Sequence, residues 1–167
     1  MNQPVQVKAD QTSGGDRPKK VAIVSSCWHR SLVGNAVQAA KSHLIQCGIP
    51  AGELEFFEVP GAFELPLHAK VLAQTGRYKA IIVCGFVVNG GIYEHGYVAS
   101  AVIHGLMQVQ LESGIPVFSA VLTPLNFHEH EDHSNFFARH LVSKGVEVAE
   151  ACLKTIASLE LVAQKCA

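Results

Sequence analysis

The sequence is poor in charge and has no excess of either sign. Its 167 residues include 13 lysines and arginines and 14 aspartates and glutamates, which leave a formal net charge of −1. Nucleic acids and anionic membranes attract strongly basic surfaces, so neither is an expected partner. Hydrophobic residues make up 49% of the chain. This fraction is high for a small monomer, and we expect some apolar surface to be buried between subunits.

The cysteines lack any pairing pattern. The five are odd in number, widely spaced and without a Cys-x-x-Cys pair, which argues against a disulfide framework and a structural zinc site. A reducing cytoplasm is therefore the predicted compartment. Residues 1–18 have no apolar core, so they resemble neither a secretory signal nor a membrane anchor. We expect a disordered tail there, followed by a single domain over residues 19–167.

From residue 20 onward, short β-branched runs alternate with longer stretches of helical period. This alternation predicts βαβ units on a parallel sheet. Strands are predicted at residues 21–25, 54–59, 80–88 and 117–122. Helices are predicted at about 31–46, 64–74 and 98–112, and from about 134 to the C-terminus with an interruption near Gly145.

Two predicted strands are apolar throughout. Residues 21–24 and 80–88 show no polar alternation, which is typical of strands covered by helices on both faces, so we expect them to be the central pair. Right-handed crossovers then favour a four-stranded parallel sheet of order 2-1-3-4 in a three-layer, flavodoxin-like α/β sandwich. Ligands of such sheets bind beyond the carboxyl ends of the strands, so the residues after each strand are candidates for a site.

Two residues after the first strands each allow two interpretations. Trp28, the only tryptophan, is either a core residue or a flat surface on which a planar heterocycle stacks. Glu64 opens the second predicted helix. It is either a charge that favours the helix N-terminus or a bidentate acceptor for the hydroxyls of a polyol. The residue types alone leave both pairs of alternatives open.

The later strand ends carry a glycine pair and a histidine-rich loop. Gly90 and Gly91 precede a helix, so backbone can approach a ligand there and an anion such as phosphate suits the helix N-terminus. His128, His130 and His133 fall within six residues, which is compatible with a metal-dependent hydrolase or with a solvated loop. No second ligand cluster in the sequence completes such a site, and we expect no metal.

Three segments together resemble lumazine synthases, over a match from about residue 20 to the last helix. The Gly90-Gly91-Ile92-Tyr93-x-His95 form, with Trp28-His29, is similar to the second type of this family, found in rhizobia and brucellae. The segments that carry the resemblance are Val59-Pro60-Gly61-Ala62-Phe63-Glu64-Leu65-Pro66, Asn89-Gly90-Gly91 and Ser143-Lys144-Gly145-Val146-Glu147.

The resemblance implies a role for each matching residue. Trp28 stacks on the pyrimidine; Ala62, Phe63 and Glu64 hold the ribityl chain. Phe86, Val87 and Val88 present backbone groups to the uracil, and Gly91 and Ile92 hold the phosphate. Ser119 of a neighbouring subunit and Lys144 complete the site. Three positions depart from the pattern that the resemblance implies. Glu94 stands in place of the usual histidine, which leaves Glu94 or His95 as the proton donor. Asn89 stands in place of a common arginine, and His133 in place of the arginine that binds the phosphate.

The implied reaction condenses 5-amino-6-(D-ribitylamino)uracil with 3,4-dihydroxy-2-butanone 4-phosphate. An amine attacks a ketone to form an imine, phosphate leaves, and ring closure with loss of water gives 6,7-dimethyl-8-ribityllumazine. This reaction is the penultimate step of riboflavin biosynthesis. No redox change occurs, so no cofactor is expected. The family implies pentamers or dimers of pentamers with sites between adjacent subunits. A non-catalytic flavin or lumazine carrier on the same fold is the alternative, because a fold does not prove turnover.

Overall fold

The predicted strands and helices recur as four strands and four helices in the computed structural model, which describes residues 20–91, 94–128 and 130–166. The strands are β1 (Lys20–Ser26), β2 (Leu54–Val59), β3 (Tyr78–Phe86) and β4 (Val117–Leu122). The helices are α1 (Arg30–Gln46), α2 (Leu65–Gln74), α3 (His95–Ser113) and α4 (Glu131–Lys165), with short 3-10 turns at Ala51–Glu53 and Ala62–Glu64. The predicted tail, residues 1–18, and Ile92 of the predicted phosphate loop lie outside the described residues.

The four strands form one parallel sheet in the order β2-β1-β3-β4. This order confirms the prediction, and β1 and β3 are the central pair, with Ile23 opposite Ile82 in the register. Both strands are buried along almost their whole length. The physical reason is the one expected, since helices cover both faces of a central parallel strand and leave no position for an alternating polar residue.

Helices pack on both faces of the sheet and complete three layers. On one face, Leu44 of α1 and Leu141 of α4 join a core with the strand residues Ile23 and Ile82. On the other face, residues of α2 and α3, among them Val102, pack against the alternate strand positions. The flavodoxin-like α/β sandwich is therefore confirmed. None of the described helices is long and apolar enough to cross a membrane.

The predicted interruption of the last helix near Gly145 is wrong. Helix α4 runs without a break over 35 residues, and Gly145 is buried in its interior. A Cβ at Gly145 would lie 2.3 Å from the carbonyl oxygen of Ala36 and 2.8 Å from the Cβ of Ala39, both on α1. Glycine stands here because α1 approaches the backbone of α4 too closely for a side chain, and the residue does not end the helix.

Other boundaries differ from the prediction by a few residues. Helix α3 begins at His95, three residues earlier than expected, and β3 spans Tyr78–Phe86 instead of residues 80–88. The segment before α2 is a separate 3-10 turn, so Glu64 is the N-cap of α2. The change at α3 has the larger consequence, because it places His95 in the first turn of a helix that begins at the carboxyl edge of the sheet.

A cluster of charged and polar side chains ties the amino ends of three strands together. The Glu55 carboxylate on β2 accepts hydrogen bonds from Lys20 on β1 and from the Tyr78 hydroxyl on β3, and it lies 2.9 Å from Arg77. The hydrogen bond from Lys20 is the main cause that holds the pKa of Glu55 below its usual value, and the hydrogen bond from Tyr78 is the second. Burial raises the pKa of Tyr78 to about 12, and the hydrogen bond to the Glu55 carboxylate acts in the same direction. This cluster lies at the end of the sheet opposite the predicted site.

Candidate active site

The carboxyl ends of the strands surround a cavity of about 800 Å³. The loops that follow β1, β2 and β3 form its walls, together with the segment between β4 and α4, as expected for a parallel sheet with a switch point between β1 and β3. The lining residues are Trp28, His29, Pro60, Gly61, Ala62, Phe63, Glu64, Phe86, Val87, Val88, Asn89, Gly90, His95, Val98 and Phe127. Eight of the predicted site residues are therefore in one place.

Trp28 lies in the loop between β1 and α1 and lines this cavity. Its side chain is 71% exposed, so the alternative that it is a core residue is wrong. Phe63, on the 3-10 turn after β2, lines the same cavity and is 64% exposed. Two large aromatic surfaces that are open to solvent and face a common cavity are suited to a planar ligand.

Glu64 has a structural partner as well as a place in the cavity wall. Its Oε2 accepts a hydrogen bond of 2.8 Å from the backbone N–H of Gly61, which satisfies one of the N–H groups that open the turn. A carboxylate has about four acceptor positions on two oxygens. The contact with Gly61 therefore orients Glu64 and leaves acceptor capacity for ligand hydroxyls, so the capping and polyol interpretations are compatible.

The end of β3 forms the floor of the cavity. Phe86 and Val87 are buried and Val88 is half-buried. The Val87 N–H donates to the carbonyl oxygen of Leu122 on β4 at 2.9 Å, so the sheet already uses it. If residues 86–88 present backbone groups to a uracil, Val87 does so through its carbonyl oxygen.

The structure separates the two candidate proton donors. His95, the first residue of α3, is half-buried and lines the cavity. Glu94 is the exposed N-cap of the same helix and is not among the cavity-lining residues. Gly91 follows the lining residue Gly90, and its φ of +75° lies in the left-handed region that favours glycine.

Three predicted site residues lie away from this cavity. Ser119 is exposed on the edge strand β4, and its Oγ accepts a hydrogen bond of 3.2 Å from the Val121 N–H. His133 lies in the first turn of α4, and Lys144 farther along this helix donates to Glu147 at 2.5 Å. Within one chain, these residues do not meet the groups that line the cavity.

The sequence analysis gave no role to His29 or Phe127, which are among the residues that line the cavity. The His29 ring packs edge-to-face on Phe86 and on Phe127, with 5.4 Å between ring centroids in each pair. Phe127 also contacts Phe137 of α4 in the same manner. The sequence pairs Trp28 with His29, which was a usable signal. Phe127 lies in an irregular loop whose position depends on packing against α4, so no pattern marked it.

The cavity carries few ionisable groups. Among the described residues that line it, only His29, Glu64 and His95 can carry charge near neutral pH, and none is a lysine or arginine. Nor does the described part of the chain hold three His, Cys, Asp or Glu side chains placed to bind a metal ion. An anionic substrate group in this cavity therefore needs backbone N–H groups, a histidine or a cation from another chain.

An all-parallel sheet of this order, with four Phe and Trp side chains lining the cavity at its switch point, defines an α/β protein whose cavity is suited to a small planar ligand. The family model for 6,7-dimethyl-8-ribityllumazine synthase matches residues 18–160. The chain therefore belongs to the 6,7-dimethyl-8-ribityllumazine synthase family.

Individual relatives agree with this assignment. A 6,7-dimethyl-8-ribityllumazine synthase of Rhodococcus erythropolis is 51% identical over 142 residues, which cover 85% of this chain and 92% of the relative. Bradyrhizobium diazoefficiens has a synthase 2 that is 52% identical over 149 residues, 86% of each chain. The synthase 2 of Pseudomonas syringae pv. tomato is 45% identical over 147 residues, 88% of this chain and 86% of the relative. The resemblance and the predicted assignment to an enzyme of the transferase class are confirmed.

Proposed function

We propose that the chain condenses 5-amino-6-(D-ribitylamino)uracil with 3,4-dihydroxy-2-butanone 4-phosphate to 6,7-dimethyl-8-ribityllumazine, as a cytoplasmic enzyme of riboflavin biosynthesis. The observation that carries this proposal is the meeting of Trp28, Glu64 and His95 in one cavity at the switch point of the sheet. These residues supply a stacking surface, a polyol acceptor and a proton carrier to one ligand.

The uracil half of the reaction fits the groups of a single chain. Trp28 stacks on the pyrimidine ring, and the backbone of residues 86–88 hydrogen-bonds its edge. Ala62, Phe63 and Glu64 flank the ribityl chain, with the Glu64 carboxylate accepting from its hydroxyls. Binding both substrates in an attacking geometry converts a bimolecular step into an intramolecular one, which contributes up to about 7–11 kcal/mol in favourable cases.

His95 is the proton carrier that this geometry favours. It lines the cavity where the second substrate would meet the uracil, whereas Glu94 does not. The amine attacks the ketone and expels water to form an imine, phosphate leaves, and ring closure releases a second water. Each dehydration needs a proton delivered to a departing oxygen, and a positioned acid contributes roughly 10²–10⁴-fold to such a step.

The phosphate half of the site comes from an adjacent subunit in this proposal. The cavity of one chain has no lysine or arginine among its described lining residues, while Ser119, His133 and Lys144 lie elsewhere on the surface. Packing of a second copy brings these three residues to the cavity, where the loop that contains Gly91 and Ile92 holds the phosphate.

The assembly proposed is a pentamer, alone or paired into a decamer. An exposed apolar surface on α2 and α3 supports burial between subunits, and these side chains are 42–75% exposed in the single chain. The surface comprises Leu67, Val71, Ile103, Met107 and Leu111.

The test of the function is a coupled measurement of phosphate release and lumazine absorbance with both substrates. We expect the two signals to rise together, and neither substrate alone to give either. Glu64→Gln is expected to raise the inhibition constant of a ribityl-bearing product analogue, because a neutral side chain is a weaker acceptor. A protein that purifies yellow with bound ligand and releases no phosphate would be the carrier instead.

The shared site has its own test, in which two defective variants are refolded together. Trp28→Ala weakens the uracil half and His133→Ala the phosphate half, so at substrate concentrations near the wild-type KM each is expected to be strongly impaired alone. In a mixed ring, about a quarter of the interfaces join two intact halves, because each interface combines different surfaces of two neighbours. Activity that fails to recover in the mixture would place both halves in one chain.

A further inference from the structure

The Asn89 side chain makes a hydrogen bond to the loop that follows it. Its Oδ1 accepts a hydrogen bond of 2.9 Å from the backbone N–H of Gly91. An amide oxygen is an acceptor with two lone pairs, so this contact uses only part of the hydrogen-bonding capacity of the side chain. Asn89 therefore supplies an acceptor that acts on the loop itself.

The loop that Asn89 contacts is one that needs an external constraint. Gly90 and Gly91 are consecutive glycines, both exposed, and Gly91 has a φ of +75°. Glycine loses more conformational freedom on ordering than any other residue. A free Gly-Gly segment would therefore sample many orientations, and a ligand that uses its backbone would have to select one of them.

We infer that Asn89 is a positioning residue that orders the Gly90-Gly91 backbone before the phosphate of the second substrate binds. The inference rests on the proposed function, because it takes this loop as the phosphate-holding one. The hydrogen bond to Asn89 fixes the peptide between Gly90 and Gly91. It also occupies the Gly91 N–H, so Asn89 acts on the shape of the loop, and the phosphate takes its hydrogen bonds from other donors. Ordering the loop in advance removes an entropic cost that binding would otherwise carry.

The kinetic test is Asn89→Ala, with the two substrates varied separately. We expect the KM for the sugar phosphate to rise roughly three- to tenfold, the range of one hydrogen bond. The KM for the aminouracil and kcat should stay within about twofold, a difference of only a few tenths of a kcal/mol. Asn89→Ser keeps a shorter acceptor that makes the same local contact more weakly. Its KM for the sugar phosphate should therefore lie between the values of wild type and Asn89→Ala.

A pair of glycine variants separates the loop conformation from general strain. Gly91 and Gly114 have similar φ values, +75° and +70°, and an added Cβ meets nothing within 4 Å at either position. Gly114 lies at the end of α3, on the opposite edge of the sheet. Alanine should strain both backbones similarly and lower both melting temperatures, but only Gly91→Ala should raise the KM for the sugar phosphate.

Three results would overturn the inference. One is an unchanged KM for the sugar phosphate in Asn89→Ala; another is a rise in the KM for the aminouracil instead, which would make Asn89 a uracil contact. The third is an equal KM effect of Gly91→Ala and Gly114→Ala. If wild-type protein forms no lumazine, the proposed function fails. Calorimetric titration with inorganic phosphate then decides the inference, since an equal Kd for wild type and Asn89→Ala refutes it.

Discussion

Replacing Gly145 by alanine tests how closely α1 and α4 pack. The added Cβ would lie 2.3 Å from the Ala36 carbonyl oxygen and 2.8 Å from the Ala39 Cβ. Ordinary contacts between such atoms are about 3.5 Å, so the two helices must separate by roughly 1 Å. The nearest atom belongs to the backbone, and no change of rotamer can move it away.

Two opposing effects determine how much the Gly145→Ala substitution lowers the free energy of unfolding. Overpacking a buried contact costs about 1–3 kcal/mol, and a backbone clash belongs at the upper end. Alanine is a better helix former than glycine by about 1 kcal/mol, which offsets part of that cost. We expect a net loss of about 2 kcal/mol of unfolding free energy, or a fall in Tm of about 4–8 °C for a chain of this size.

Gly34 provides the matched control, because it lies inside α1 and an added Cβ there meets nothing within 4 Å. Gly34→Ala should therefore stabilise the protein by about 0.5–1 kcal/mol through helix propensity alone. Urea and thermal unfolding of all three proteins should be followed at one protein concentration, because oligomerisation makes Tm depend on concentration. If Gly145→Ala is as stable as Gly34→Ala, the close packing of α1 on α4 is refuted.

Three further predictions concern the site and the sheet. Trp28→Ala should weaken binding of the aminouracil by about 1–3 kcal/mol with no change in Tm, and a fall in Tm would contradict its exposure. With His133 as the phosphate cation, His133→Ala should raise the KM for the sugar phosphate far more than that for the aminouracil, and His133→Arg should keep both constants close to wild type. Glu55→Gln should lower Tm at neutral pH. The lowered pKa of Glu55 makes its contribution present above the unfolded value of about 4.3 and lost in acid. The gap to wild type should therefore close as the pH falls through the lowered pKa of Glu55, and a constant gap would refute the ionic contribution.

The sheet was predictable because its strands leave a strong signal. Residues 21–24 and 80–86 are buried on both faces and therefore contain almost no polar side chain, so their central position followed from the sequence. Once two central parallel strands are known, the handedness of crossovers leaves few orders for the remaining two. The carboxyl-edge location of the cavity followed from the same topology.

What could not be predicted depends on distances between elements. Gly145 looks like a helix terminator in sequence, because glycine is common just past a helix end. Only the structure shows that the Ala36 carbonyl oxygen of α1 would lie 2.3 Å from a Cβ at this position. This distance distinguishes a glycine that is needed for close packing from one that ends a helix. Likewise, Phe127 lies in a loop without periodicity, and its place beside His29 and Phe86 depends on how α4 docks.

The separation of the two halves of the site also constrains the assembly. The cavity proposed to hold the uracil lies at the switch point, between the loops that follow β1, β2 and β3. Ser119 lies on the edge strand β4, and His133 and Lys144 lie on α4. If these residues complete a neighbour's cavity, each contact joins two different surfaces of the chain. A twofold dimer meets this requirement only if the cavity and the contributed residues lie in one self-complementary patch, where each contact occurs twice. A head-to-tail contact closes into a ring when its rotation divides a full turn, and every cavity in a closed ring then receives one partner's phosphate-binding residues. The proposed pentamer meets this requirement, and an isolated chain does not.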